Sequence, residues 1–271
     1  RTTTMMNPWI VPSLSCTSLL LFISCNDAIQ YGVDVSFPMH HKTLHPMYHN
    51  DNTTKQSFYD EYVKSCKQYA THEASLTPEH CDTTENGRMK LMLEQPKSMY
   101  NFTSKGYTKI TTPSTIYSKL LQFFHSNYPH NRVLEDWDGG SISYVNHWSS
   151  PTYMLHIENS TLSNGGRQFQ QTLWNELRPV LQDWIGDTQE LQLKPCSLYG
   201  IRIYEQGSIL APHVDRLPLV TSAIINVDQD VDEPWPLEVI GRDGIAVNIT
   251  MEPGDMVLYE SHSLIHGRPF P

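Results

Sequence analysis

The sequence lacks any run of about 18 or more apolar residues, the length at which a segment becomes a candidate membrane-spanning helix. This absence excludes a polytopic membrane protein. The sequence also lacks a basic excess, because 19 Lys and Arg residues stand against 29 Asp and Glu residues, for a formal net charge of −10. Nucleic-acid-binding proteins usually present a basic face, so this balance argues against a nucleic-acid partner. No internal repeat and no low-complexity tract is found.

The 271 residues do contain enough apolar and aromatic side chains for a folded core. Hydrophobic residues make up 39% of the chain, and there are 6 Trp, 14 Tyr and 8 Phe. This composition excludes the coiled-coil, collagen-like and disordered classes. The sequence begins at Arg1 and breaks off at Pro271 without a helix end or tail, so we expect a fragment that lacks C-terminal sequence.

The N-terminal residues have the pattern of a secretory signal peptide. Residues 11–24 are apolar but shorter than a membrane span, and residues 25–28 offer small side chains for cleavage. No Lys or Arg lies between Met5 and the apolar run, so an uncleaved anchor and a buried N-terminal helix stay open as alternatives. We predict a signal peptide over residues 1–28 and a location in the endoplasmic reticulum or Golgi lumen, with secretion less favoured.

The cysteines and glycosylation sequons agree with a lumenal location. Cys66 and Cys81 bracket a short polar segment and could close a disulfide loop worth ~3 kcal/mol. Cys196 is then left over, and we expect it to be a small buried side chain. Sequons of the Asn-x-Ser/Thr type indicate a glycoprotein. They are at Asn52, Asn101, Asn159 and Asn248.

Helical and β-rich patterns divide the chain into two regions. Apolar residues recur at helical spacing in three segments, where we predict helices with aromatic side chains, Phe58 among them, in the core. These segments are residues 56–70, 114–126 and 167–185. From residue 196 onward, short β-rich runs alternate with turns, as in a sandwich or barrel. We predict a helical and loop region over residues 29–112 and a mainly β domain with flanking helices, incomplete at its C-terminus, over residues 113–271.

A His-x-Asp pair lies in one of the β-rich runs. On a strand, residues i and i+2 project to the same face, so His213 and Asp215 could offer an imidazole and a carboxylate to one metal ion. His266, predicted at the end of the strand that follows the turn at residues 253–255, is the candidate third ligand. Two His and one carboxylate leave open positions that suit Fe(II) binding a co-substrate and O₂. The spacing also fits a strand whose His and Asp merely hydrogen-bond each other, or a Zn²⁺ hydrolase.

The surrounding residues resemble the prolyl 4-hydroxylases and related Fe(II)/2-oxoglutarate-dependent dioxygenases. Residues 199–215, YGIRIYEQGSILAPHVD, are similar to the strand pair in which this family has an Arg-Tyr pair, a Gly and then H-x-D. Arg202 and Tyr204 match the Arg-Tyr pair, although they lie one residue further apart. Residues 253–269, PGDMVLYESHSLIHGRP, resemble the Gly-Asp strand that leads to the family's distal His and a nearby Gly and Pro. The likeness is greatest to lumenal proteins of algae and other protists.

The resemblance implies a double-stranded β-helix, or jelly-roll, core. It implies iron held by His213, Asp215 and His266, which are also the predicted catalytic residues. Fe(II), 2-oxoglutarate as co-substrate, ascorbate as reductant and O₂ would then hydroxylate a peptide or protein at prolyl residues. Tyr204 would line the 2-oxoglutarate pocket and donate its hydroxyl to the co-substrate. A lumenal partner subunit could also take part.

The chain departs from the family pattern at three points. Leu210 stands in the co-substrate pocket, where the family has a Tyr before H-x-D. The family's carboxylate-binding Lys or Arg lies roughly ten residues beyond the distal His, so we expect it beyond residue 271; Arg268, the only cation after His266 and on the same strand face, is the alternative anchor. His262 would share a strand face with His266 and is an alternative distal ligand. The Gly-Pro context favours His266.

Two other functions stay open at this point. A catalytically silent jelly-roll binding module with a vestigial metal site would explain Leu210, and a Zn²⁺ hydrolase could use the same ligands. If the chain is a hydroxylase, its peptide substrate is expected at the mouth of the β-structure. The residues that flank this predicted mouth are Pro212, Arg216, Pro218 and Trp235.

Overall fold

The protein is described from a computed structural model. The described residues are 53–72, 76–135, 144–186, 192–243 and 246–269. The predicted signal peptide and the sequon at Asn52 therefore lie outside the described residues. Within these ranges, no helix combines the length and the apolar character that crossing a membrane requires.

Two long helices form a hairpin at the start of the described chain. Helix α1 spans Thr53–His72, and helix α2 spans Pro78–Ser98. Pro78 suits the first turn of a helix, because a residue there has no helical partner for its N–H group. A disulfide between Cys66 and Cys81 ties α1 to α2, which confirms the predicted pairing.

The other two helices lie further along the chain. Helix α3 spans Ser114–Asn127 and helix α4 spans Arg167–Ile185, so the predicted helices are confirmed. The rings of Phe123 and Phe169, whose centroids are 5.4 Å apart, pack α3 against α4. Phe58 on α1 is 50% exposed, so its prediction as a core residue is wrong. It lies on the outer side of α1.

Helix α2 has no counterpart among the predicted helices. Its apolar residues do not form one clean stripe along the helix, so periodicity gives little signal. The face that α2 buries is partly polar, because Glu85 and Arg88 are buried beside Met89 and Met92. Charged residues are seldom fully buried unless they are paired, so a sequence pattern assigns them to the surface.

Ten strands in the described residues form three antiparallel sheets, in the orders β1-β9-β6, β5-β10-β7-β8 and β2-β3-β4. They are β1 Tyr107–Thr111, β2 Val133–Leu134, β3 Tyr153–His156, β4 Gly200–Ile203, β5 Leu210–His213, β6 Ser222–Ile225, β7 Leu237–Ile240, β8 Ala246–Ile249, β9 Asp255–Tyr259 and β10 His266–Arg268. Each β-rich run after residue 196 contains one strand. The fold is thus mainly antiparallel β-structure with helices, as predicted, and the jelly-roll arrangement stays a prediction.

Strand β1 joins the two predicted regions of the chain. It lies within the predicted helical and loop region, yet it pairs along its whole length with β9, with Tyr107 opposite Tyr259. Helix α2 also packs against β5. Elements from both predicted regions therefore contribute to one structure, and the division at residues 112 and 113 stays a prediction.

A buried carboxylate fixes the chain that enters β1. Glu260, directly after β9, is fully buried and accepts hydrogen bonds from the backbone N–H groups of Phe102 (2.9 Å) and Thr103 (2.8 Å). The Thr103 hydroxyl donates to the same carboxylate at 2.7 Å, and Arg242 forms an ion pair with it. A buried charge is tolerated when it is paired and hydrogen-bonded in this way. The turn after β9 is therefore held at its first residue.

Cys196 is exposed and is not part of a disulfide, so its prediction as a buried side chain is wrong. It lies in the irregular segment that precedes β4. No strand or helix includes this segment, and its neighbours Lys194 and Pro195 are exposed as well.

Truncating a core aromatic should destabilise this fold far more than the same change at Phe58. Phe123→Ala is expected to lower the free energy of unfolding by about 3–5 kcal/mol, because it removes a fully buried ring. Phe58→Ala is the matched control and should cost less than about 1 kcal/mol. Chemical denaturation of the two variants and the wild type measures both values, and similar losses would contradict the described packing.

The disulfide should contribute measurably to stability. Replacing both Cys66 and Cys81 with Ala is expected to lower the free energy of unfolding by about 3 kcal/mol, because the crosslink joins residues 15 positions apart in the unfolded chain. Cys196→Ala is the control and should leave stability unchanged. Denaturation under non-reducing conditions, together with peptide mapping of the wild type, checks this. Free thiols at both positions would contradict it.

Candidate metal centre

Three potential metal ligands converge at one end of the sheet β5-β10-β7-β8. His213 is the last residue of β5 and His266 is the first residue of β10. The antiparallel pairing places them directly opposite each other, with ring centroids 4.4 Å apart. Oδ1 of Asp215 lies 3.5 Å from Nε2 of His213 and 3.8 Å from Nε2 of His266. One ligand atom from each residue lies within 4.8 Å of the other two, so the three could hold a metal ion.

The cluster forms by a different route from the one that the sequence predicts. Strand β5 ends at His213, so Asp215 lies beyond the strand rather than on it. Strand β9, which follows the turn at residues 253–255, ends at Tyr259. His266 therefore does not end β9 but begins a separate strand, β10. The ligands therefore meet because β5 and β10 are paired, and because the chain after His213 turns Asp215 back toward both imidazoles.

Gly267 allows β5 and β10 to approach closely. A Cβ atom at this position would lie 2.8 Å from the carbonyl oxygen of Leu210 and 2.9 Å from backbone atoms of Pro212. Backbone atoms cannot move aside as a flexible side chain can, so a larger residue would push the strands apart. The Gly after the distal His is therefore required by the pairing that brings His266 opposite His213.

Backbone hydrogen bonds orient both imidazoles. Nδ1 of His213 lies 2.8 Å from the carbonyl oxygen of Ala211, and Nδ1 of His266 lies 2.9 Å from that of Leu264. Because a carbonyl can only accept, each Nδ1 carries the proton and donates it. Each Nε2 is the ring nitrogen that faces Asp215. Histidine ligands of metal ions are commonly oriented through the second ring nitrogen in this way.

The electrostatics keep His266 and Asp215 in the protonation states that a metal requires. Burial lowers the pKa of His266 to about 4, and the nearby His213 adds to this effect, so His266 is neutral at pH 7. Burial alone would raise the pKa of Asp215, but hydrogen bonding by His213 and the positive charges that the two histidines carry when protonated outweigh it. The pKa of Asp215 lies well below its ordinary value. Neutral imidazoles and an ionised carboxylate are the forms that bind metals.

The Asp215 segment is also held by neighbouring backbone and hydroxyl groups. The N–H of Asp215 donates to the carbonyl oxygen of Ser261 at 2.8 Å. The Ser222 hydroxyl lies 3.4 Å from Oδ2 of Asp215 and donates to the Ser261 hydroxyl at 2.8 Å. These contacts tie the carboxylate to the turn that leads into β10.

His262, the alternative distal ligand, does not belong to the cluster. It lies in the turn between β9 and β10, where Nδ1 is 2.5 Å from the Val220 carbonyl oxygen and Nε2 is 3.2 Å from that of Tyr100. Both ring nitrogens are therefore engaged by backbone carbonyls. The prediction that His262 and His266 share a strand face is wrong, because only His266 lies on a strand.

The three predicted co-substrate residues lie close together. Leu210 and Arg268 are paired across β5 and β10. The Tyr204 and Trp235 ring centroids are 4.9 Å apart, and the Arg268 guanidinium lies 4.5 Å from the Trp235 centroid. Arg268 also donates a hydrogen bond to the Trp235 carbonyl oxygen. Together these residues form a half-buried patch beside the ligand-bearing strands.

Arg268 is the cation in this patch that could accept an anion. Its guanidinium is half-buried, and burial lowers its pKa. Among the described residues, no carboxylate lies within ion-pair distance of it. The neighbouring Arg202 already holds Glu135 in two hydrogen bonds of 2.8 and 3.0 Å. A guanidinium suits a carboxylate because its N–H groups match both oxygens.

The residues expected to contact a peptide at the mouth of the β-structure differ in their exposure to solvent. Pro212 is buried, so its prediction as a rim residue is wrong. Its carbonyl oxygen accepts a 2.5 Å hydrogen bond from Arg88 of α2. Arg216 and Pro218 are exposed, and Trp235 is half-buried.

Several neighbours of the cluster have no signal in the sequence. The Tyr144 ring lies 5.6 Å from that of His213, and the Tyr144 carbonyl oxygen accepts a hydrogen bond from the N–H of Ala211. Arg88 and Gln95 of α2 donate to carbonyls beside the ligands. These residues belong to no motif and are distant in sequence, so only the tertiary structure reveals them.

No protein-family model and no curated protein matches the chain. A crystal structure of a Pseudomonas putida prolyl-4-hydroxylase is similar to part of it, with a TM-score of 0.36 and 12% sequence identity. The likeness covers 62% of this chain and 86% of that chain. At these values, the likeness by itself assigns no chemistry to this chain.

Removing a ligand should abolish metal binding, while removing His262 should not. His213→Ala and His266→Ala are each expected to weaken Co²⁺ binding by at least about 100-fold, because each removes a ligand atom. His262→Ala should retain the wild-type affinity within a few-fold, and His156→Ala is a control at an exposed position. Titration followed by the absorption of bound Co²⁺ measures all four. Loss of binding in His262→Ala but not in His266→Ala would contradict the described cluster.

Proposed function

We propose that this chain is an Fe(II)- and 2-oxoglutarate-dependent dioxygenase that hydroxylates a protein substrate, with prolyl residues as the expected target. The observation that carries the proposal is the convergence of His213, Asp215 and His266. Two His and one carboxylate are the ligand set of non-haem Fe(II) oxygenases, because it leaves positions for a co-substrate and O₂. The order of the motifs along β5, β9 and β10 supports the same reading.

The residues of the chain would hold and orient the reactants. His213 and His266 would present their Nε2 atoms, and Asp215 presents an anionic oxygen that offsets part of the metal's charge. When bound, Fe(II), 2-oxoglutarate and O₂ would supply the oxidation: one oxygen atom enters a C–H bond of the substrate, the other enters succinate, and CO₂ is released. Ascorbate would serve as the reductant.

Arg268 and Tyr204 are proposed to bind 2-oxoglutarate. Arg268 lies two residues after His266 on β10, and its half-buried guanidinium would gain a carboxylate partner. The Tyr204 hydroxyl accepts a 3.4 Å hydrogen bond from Nη1 of Arg202. Leu210, opposite Arg268, would provide an apolar wall for the methylene groups of the co-substrate.

The substrate and location are further parts of the proposal. A proline-containing peptide would contact the exposed residues Arg216 and Pro218 and the half-buried Trp235. The disulfide between α1 and α2 supports a location in the secretory pathway, in the endoplasmic reticulum or Golgi lumen, because disulfides persist in oxidising compartments. A lumenal partner subunit could complete the enzyme there.

The decisive experiment measures succinate formed from 2-oxoglutarate by the full chain with Fe(II), ascorbate and a proline-rich peptide. Wild type is expected to form succinate, more so with the peptide, while His213→Ala should form none. Arg268→Ala should raise the KM for 2-oxoglutarate by about 10- to 100-fold, because a hydrogen-bonded charge is lost. Arg178→Ala, at an exposed position on α4, is the matched control.

The other outcomes of this experiment separate the competing functions. Metal bound without succinate would overturn the proposal in favour of a binding module. Retention of Zn²⁺ after anaerobic purification, without 2-oxoglutarate turnover, would favour a hydrolase. Succinate formation that a proline-rich peptide does not stimulate would retain the oxygenase and overturn the prolyl substrate. An unchanged KM in Arg268→Ala would remove Arg268 from the co-substrate site.

A further inference from the structure

Helix α2 contacts both backbone segments that carry the candidate ligands. Gln95, near the C-terminal end of α2, is half-buried, and its side-chain nitrogen lies 2.7 Å from the carbonyl oxygen of Asp215. The same nitrogen lies 2.7 Å from the carbonyl oxygen of His262. A primary amide nitrogen has two hydrogens, so each carbonyl accepts one of them. One acceptor is the backbone of a ligand, and the other lies on the turn that leads to His266.

These two segments have little other backbone support. Asp215 lies beyond the end of β5, and His262 lies between β9 and β10, so neither carbonyl is part of a strand ladder. Among the residues that the structure describes, the direct backbone link between the segments is the hydrogen bond from the N–H of Asp215 to the carbonyl oxygen of Ser261. The Gln95 amide therefore acts as a second crosslink at the place where strand pairing has ended.

Arg88 supports the same ligand segment on its other side. It lies on the same face of α2 as Gln95, two helical turns earlier, and donates to the carbonyl oxygen of Pro212, immediately before His213. Arg88 is fully buried and forms a 2.6 Å ion pair with Glu85. The Glu85 carboxylate also accepts a 2.6 Å hydrogen bond from the Tyr59 hydroxyl of α1. Arg88, which joins α2 to the ligand segment, is thus itself held in place within the helical hairpin.

We propose that Gln95 is a positioning residue of the metal centre. By holding the Asp215 and His262 carbonyls at one nitrogen, it sets the separation between the Asp215 carboxylate and the His266 imidazole. It would therefore control metal affinity and coordination geometry without contacting the ion. The inference rests on the proposed function only in that the cluster binds a divalent metal, and it does not depend on 2-oxoglutarate chemistry.

The test compares Co²⁺ binding by wild type and by Gln95→Met in the full chain. Met has a similar length but cannot donate a hydrogen bond, so both carbonyls lose their donor. We expect Gln95→Met to bind Co²⁺ about 10- to 100-fold more weakly, with an altered visible absorption spectrum, as for other groups that orient ligands. Gln68→Met makes the same chemical change at an exposed position on α1 and should bind as wild type does.

Stability measurements separate positioning from a purely structural role. The thermal midpoint of metal-free Gln95→Met is expected to fall by only a few degrees, so that the folded variant is the species titrated. If Gln95→Met does not fold, Gln95→Asn replaces it in the titration. Asn keeps both donor hydrogens on a shorter side chain, so a smaller loss of Co²⁺ affinity is expected.

The Co²⁺ titrations distinguish a failure of the role proposed for Gln95 from a failure of the proposed function. Wild-type affinity and spectrum in Gln95→Met, or an equal loss in Gln68→Met, would overturn the role of Gln95 and leave the proposed function intact. Failure of the wild type itself to bind Co²⁺ would overturn the proposed function.

Discussion

The antiparallel pairing of β5 with β10 is the constraint on which the candidate metal centre depends. It places His213 opposite His266, and β10 also pairs with β7 on its other edge, so the position of His266 is fixed from both sides. Because side chains alternate along a strand, a shift of one residue would turn His266 to the opposite face. Gly267 permits the close approach that this register needs. The ligand set is thus a direct product of strand register.

Strand pairing alone does not complete the site, because Asp215 and the turn before His266 lie outside the ladders. Buried and half-buried polar side chains hold these segments in place. Glu260 holds the start of the turn, and Gln95 and Arg88 hold carbonyls on either side of the ligand strand's end. Such groups are costly to bury unless every one is paired. The helical hairpin is therefore a structural part of the centre rather than a separate appendage.

The sequence predicts the parts of this structure that follow local patterns. Amphipathic spacing locates α3 and α4, and β-rich runs between turns locate the strands from β4 to β9. The spacing of His213 and Asp215, with a later His before Gly, locates the cluster. Helix α2 is missed because its buried face carries Glu85 and Arg88, which local patterns assign to solvent. The Gly and Pro after His266 favour it over His262 in the sequence, but that His262 lies in the turn after β9 is seen only in the tertiary structure.

The position of β10 in its sheet affects how the protein is made. It lies between β5 and β7, yet it is the last of these strands to be synthesised. Until residue 268 has left the ribosome, neither β5 nor β7 can have β10 as its partner. Open edges of this kind attract other extended chains. The sheet that carries His213 and His266 can therefore be completed only after its three-residue strand β10, which lies between β5 and β7, has been made.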